Sequence, residues 1–133
     1  LILASIVEKE TGKSADRDSI SAVFVNRLKK GMLLQTDPTV IYGIGPRFDG
    51  NLRKADLRKD SPYNTYMHKG LPPTPIAMPS KESLLAAAHP AKSNALYFVA
   101  KGDGSSYFSE TLNEHESAVD RYQRKIHQTK LAN

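Results

Sequence analysis

The sequence predicts a helix-rich α+β fold, a single domain carrying one small β-hairpin. Three observations lead there. Apolar residues recur at helical spacing through the N-terminal part of the chain. Two short runs rich in aromatic and β-branched residues flank a Gly-Asp-Gly turn. The length, 133 residues, suits one domain with a sizeable core.

The elements follow in order. Residues 1–11 read as a mostly buried helix, because Leu3, Ala4, Ser5, Ile6 and Val7 leave little polar face before Glu8. Gly12 is its stop signal. Ser14 is placed to cap a second helix, with Asp16 and Asp18 in its first turns. There Ile20, Val23, Phe24 and Leu28 make one apolar stripe, ended by Gly31. Asp37 before Pro38 reads as N-cap and first residue of a short helix through about Tyr42, broken by Gly43, Gly45 and Pro46. Residues 46–79, with prolines at 46, 62, 72, 73, 75 and 79, show no strong periodicity and are expected to form an ordered, rigid loop surface. Ser80 caps a helix to about Ala88, stopped near Pro90. Leu96–Val99 and Ser106–Phe108 around Gly102-Asp103-Gly104 form the hairpin. Thr111 and Glu114 make a capping-box pattern for a last helix to about residue 128.

Composition narrows the function. The net charge of +5 and pI near 9.5 favour an anionic partner, or simply keep a small domain soluble. Nucleic acid is not expected, since no long basic run or binding signature occurs. Cysteine is absent, which excludes disulfides and thiolate metal sites. His68, His89, His115 and His127 lack metal-binding spacing, so no metal and no cofactor are expected, and His89 before Pro90 reads as a structural helix-end residue. No run of about 18 apolar residues and no leader pattern occurs. The chain opens inside a helical pattern with no preceding cap, and is therefore read as a fragment of a longer protein.

Several residues could carry chemistry. Glu8 and Glu10 lie about 200° apart on one helix, so they cannot pair with each other. A carboxyl group at the last turn of an apolar helix is desolvated and close to the negative end of the helix dipole. Both effects raise its pKa, as a general acid requires; the competing reading is a solvated glutamate. Gln35-Thr36-Asp37-Pro38-Thr39 offers either a plain helix cap at Asp37 or a second carboxylate with a polar clamp for a sugar. Tyr63-Asn64-Thr65-Tyr66 combines rings and amides that suit a carbohydrate, or simply covers the core. Asn26 and Arg27 could brace such a site, Arg27 by pairing a carboxylate, or Arg27 could face solvent.

Together these words are more specific. Ala4-Ser5-Ile6-Val7-Glu8-Lys9-Glu10, Val25-Asn26-Arg27-Leu28 and Leu34-Gln35-Thr36-Asp37-Pro38-Thr39-Val40-Ile41-Tyr42-Gly43 occur in that order. Tyr63-Asn64-Thr65-Tyr66, Gly70-Leu71-Pro72-Pro73, Ala88-His89-Pro90-Ala91 and Leu96-Tyr97-Phe98-Val99 continue them. The set closely resembles the MltG (YceG-like) family of endolytic murein transglycosylases, from residue 1 to about 125.

The resemblance implies a remotely lysozyme-like catalytic domain over residues 1–133. It also implies an inner-membrane location, with this domain on the periplasmic side and a preceding N-terminal anchor and LysM-like subdomain. The catalytic glutamate falls in the Glu-x-Glu of the first helix and is matched to Glu10, with Glu8 as the fallback. The implied reaction cuts the bond from N-acetylmuramic acid to N-acetylglucosamine, on nascent glycan, and leaves 1,6-anhydro ends. One carboxyl group acts first as acid and then as base. Glu8, Asn26, Gln35, Thr36, Asp37, Tyr42, Tyr63, Asn64 and Tyr66 are the expected substrate-binding residues. The expected partners are peptidoglycan strands, with peptidoglycan synthases and division or elongation proteins as further candidates, and a membrane only through the anchor. A two-carboxylate muramidase and a non-catalytic murein-binding module are the competing readings.

Overall fold

The computed structural model describes residues 1–132, with side chains described for residues 1–123. Helix α1 (Ile2–Glu10) buries Ala4, Ser5, Ile6 and Val7 completely and packs against α2 (Arg17–Lys29), α3 (Asp37–Ile44) and α5 (Lys81–Ala88). The core combines Ile6 and Val7 with Ile20 and Phe24 of α2, Leu34, Ile76 and Ala86. The anticipated stripe of α2 thus faces inward, with Leu28 half-buried at its end.

Several local expectations need correction. Ser14 does not cap α2; residues Ser14–Asp16 form a 3₁₀ turn ahead of it, and the Asp16 carboxylate accepts the Ser106 N–H at 2.9 Å, tying α2 to the hairpin. Gly12 does not end α1 through a left-handed turn. Thr11 closes the helix in an extended conformation, and Gly12 allows close approach, since a Cβ there would sit 2.4 Å from the Gly104 carbonyl oxygen. Gly43 continues α3 rather than breaking it. A Cβ at Gly43 would lie 2.9 Å from the Ser61 hydroxyl, so the glycine lets the 61–63 segment press on the helix; the break falls at Gly45, with φ of 76°.

The proline-rich stretch is ordered, and it contains a short helix that periodicity missed, α4 (Lys54–Arg58). Five residues are too few to show a helical repeat. The stretch is anchored inward where Ile76 N–H donates to the Ser5 hydroxyl at 3.0 Å. Strands β1 (Tyr97–Ala100) and β2 (Ser106–Ser109) pair antiparallel, Tyr97 opposite Ser109 and Val99 opposite Tyr107. Helix α6 (Leu112–Ala132) packs on this hairpin and runs past the expected end near residue 128. Thr111 does cap it, accepting the Glu114 N–H at 3.2 Å. The His127 side chain lies outside the described residues.

Candidate active site

A cavity of about 270 Å³ opens where α1 ends, between α2, the 34–37 segment, Tyr66, the hairpin and α6. Glu10 enters it from the last turn of α1. Burial raises the Glu10 pKa first and the negative charge of Asp37 second, against a lowering hydrogen bond from Thr36, and the outcome is about 7. The Thr36 hydroxyl donates to Glu10 Oε1 at 3.3 Å. Glu10 therefore holds its proton up to neutrality and can release it there.

Gln35, Thr36 and Asp37 are presented by a strained turn. Gln35 adopts φ of 50°, an unusual conformation for a side-chain-bearing residue, and such strain concentrates at working sites. The turn is held on both sides. Gln35 N–H donates to the Thr65 carbonyl at 3.2 Å and Thr36 N–H to the Thr65 hydroxyl at 3.0 Å. Thr36 takes the N-cap position of α3, which leaves the Asp37 side chain free of capping. Instead Asp37 accepts a short hydrogen bond from the Tyr66 hydroxyl and lies exposed at the cavity rim. Burial, followed by that same bond, drives the Tyr66 phenol well above its usual range, so Tyr66 stays protonated and donating. The capping reading of Asp37 is thereby replaced.

The cavity thus brings together Glu10, Gln35, Thr36, Asp37 and Tyr66 of the expected set. The other five residues lie elsewhere. Glu8 points to α5, where its carboxylate accepts Ser80 N–H at 2.7 Å and the Ser83 hydroxyl at 3.0 Å; these bonds hold its pKa below the usual range. Asn26 donates to the Ser93 and Ala95 carbonyls, fastening α2 to the segment before β1. Asn64 is buried, donating to the Leu57 and Lys59 carbonyls while its own oxygen receives Tyr66 N–H, so it shapes the turn that presents Tyr66. Tyr63 and Tyr42 pack on each other 5.0 Å apart outside the cavity, and the Tyr63 hydroxyl bonds Thr74.

Tyr97, Phe98 and His115 also line the cavity and were not anticipated as site residues. Tyr97 lies on the same face of β1 as the buried Val99, so strand periodicity marks it as inward-facing; nothing in the sequence places the first turn of α6 beside it. Arg27 is buried and donates to the Leu96 and Leu33 carbonyls. It does not face solvent, and its bonds go to neutral acceptors, so the carboxylate pairing expected of it is not formed. His89 caps the C-terminal end of α5, as expected. Among the described residues no group of His, Asp and Glu is arranged to hold a metal, and no helix is long and apolar enough to cross a membrane.

Fold and cavity define a class: helix-rich α+β domains with a polar recess built round one shielded carboxyl group. Residues 1–121 match the YceG-like family, and the chain belongs to it. Over 122 residues it is 52% identical to the endolytic murein transglycosylase of Bacillus subtilis, covering 92% of this chain and 34% of that protein. The endolytic murein transglycosylase of Streptococcus pneumoniae D39 is 38% identical over 125 residues, 90% of this chain and 22% of that protein. The chain therefore spans about a third or less of these relatives. A crystal structure of a putative YceG-like protein from Listeria monocytogenes superposes with a TM-score of 0.80 at 48% identity, covering 87% of this chain and 37% of that one.

Proposed function

We propose that this chain is the catalytic domain of an endolytic murein transglycosylase with Glu10 as its single acid and base. The observation that carries the reading is the Glu10 carboxyl group, shielded in a polar cavity with a pKa of about 7. That value suits a group that must give a proton and then take one. The names of the relatives support the substrate class.

In the proposed reaction, protonated Glu10 delivers its proton to the oxygen joining muramic acid C1 to N-acetylglucosamine. The C1–O bond breaks and its electrons leave with that oxygen. The Glu10 carboxylate then accepts the proton of the muramic C6 hydroxyl as O6 bonds to C1. The product carries a 1,6-anhydro ring and no water enters. Asp37, held by Tyr66, places negative charge beside Glu10, where it favours the positive charge developing at C1. Gln35 and Thr36 position the sugar.

A second reading, hydrolysis by two carboxyl groups, draws on Asp37 sharing the cavity with Glu10. Product mass on purified murein separates the two, since hydrolysis adds one water per cut. Glu10→Gln is expected to abolish cleavage with the fold intact. Normal turnover by that variant would remove Glu10 from the mechanism. The same reading assigns the domain to the outer side of the cytoplasmic membrane, acting on nascent strands beside peptidoglycan synthases.

A further inference from the structure

One wall of the cavity has no part in the proton transfers. Arg27 from α2, Tyr97 from β1 and His115 from α6 form a stack there. The Arg27 guanidinium carbon lies 5.0 Å from the Tyr97 ring centre, and the Tyr97 and His115 rings are stacked 5.0 Å apart at 21°. Arg27 is only 7% exposed. Its bonds go to the Leu96 and Leu33 carbonyls and, at 3.4 Å, to the Gln35 side-chain oxygen, all neutral acceptors. Neither Glu10 nor Asp37 forms an ion pair with it. A buried cation without a counter-ion is costly, and the cost is recovered when an anion binds.

His115 adds an independent observation. Its Nδ1 is buried and has no hydrogen-bond partner within the protein. Burial and then the Arg27 charge lower the pKa of this imidazole, so it is neutral at neutral pH, and in the tautomer protonated at Nδ1 it is an unused donor. Buried polar atoms are ordinarily paired, and this orphan belongs to a side chain that lines the cavity.

We infer that this stack is a subsite for a carboxylate of the murein peptide stem, an inference that rests on the murein reading above. Arg27 supplies the charge, His115 the second donor, and the Tyr97 face fixes both while shielding them from water. In intact strands the lactyl carboxyl is already joined to the stem by an amide, so the available carboxylates are those of the stem itself. The subsite makes the enzyme select strands by the charge of their peptides, in addition to cutting the sugar chain.

The test compares the intact protein on purified strands and on the same strands with their carboxylates converted to amides. Wild-type protein is expected to lose about tenfold in kcat/KM on the amidated strands, chiefly through KM. His115→Phe, which keeps a ring on Tyr97, is expected to lose most of that preference. Equal wild-type kcat/KM on both substrates overturns the subsite, as does a folded His115→Phe with its preference intact. Equal wild-type values need no variant and overturn the subsite even where His115→Phe fails to fold. Binding of both strands to Glu10→Gln supplies a readout without turnover. Loss of the preference with normal cleavage defeats only the subsite, whereas absence of cleavage with the binding preference intact defeats only the proposed reaction.

Discussion

At the scale of single residues, Glu8 and Glu10 have opposite effects although they are two positions apart. Glu10 has its pKa raised from 4.5 to about 7, so the folded state favours the neutral form. The destabilisation from ionising it begins as pH rises past 4.5 and is complete above about 7. Glu10→Gln is therefore expected to raise the melting temperature above neutral pH and leave it unchanged in acid, by less than the ~3 kcal/mol of the full shift because Glu10 keeps some solvent. Glu8 is shifted downward by its bonds to Ser80 and Ser83, so its stabilisation is present above its ordinary value and disappears as pH falls. Glu8→Ala should cost about 2 kcal/mol at neutral pH in denaturant melts while preserving specific activity. Activity should decline as pH rises through about 7, where Glu10 loses its proton. Asp37→Asn removes the second cause of that high value, so its pH–rate profile should fall off at lower pH than the wild type's. Glu10 was legible through the family resemblance; a helix end and apolar neighbours agree with it but by themselves leave a solvated glutamate open. Asn64 was not, because the two carbonyls that occupy its amide belong to the end of α4, a helix too short to show a periodic signature.

At the scale of elements, the helices with apolar stripes and the hairpin with its Gly-Asp-Gly turn were legible, since periodicity reports which face is buried. What escaped were connections made by close approach. Gly12 reads as a helix stop and is in fact the contact point between α1 and the hairpin loop. Gly12→Ala is expected to destabilise the fold, on the order of 1–3 kcal/mol, because its Cβ meets backbone rather than a side chain that can move aside. Thermal melts measure the loss, and an unchanged melting temperature would refute the close-approach role. Asp37 escaped for a related reason. An Asp-Pro pair usually opens a helix, but Thr36 adopts the extended cap conformation one residue earlier and frees the aspartate for the cavity.

At the scale of the whole molecule, the net charge of +5 suits an anionic polymer whose stems carry carboxylates. Long-range attraction of that kind is screened by salt, so KM for murein is expected to rise between low and physiological ionic strength while kcat holds. A KM insensitive to salt would confine the electrostatics to short-range contacts within the cavity. The sequence could not indicate which face collects the elements around Glu10. That depends on α6 folding back over the hairpin, a packing decision between segments distant in the chain.

The same folding back bears on timing during synthesis. Glu10 leaves the ribosome more than a hundred positions ahead of His115. Domains generally fold as units once their sequence has emerged, so a growing chain carries the carboxyl group long before the wall that faces it. A polypeptide stalled ahead of α6 would display the acid without its enclosure, and with less burial its proton would leave at lower pH.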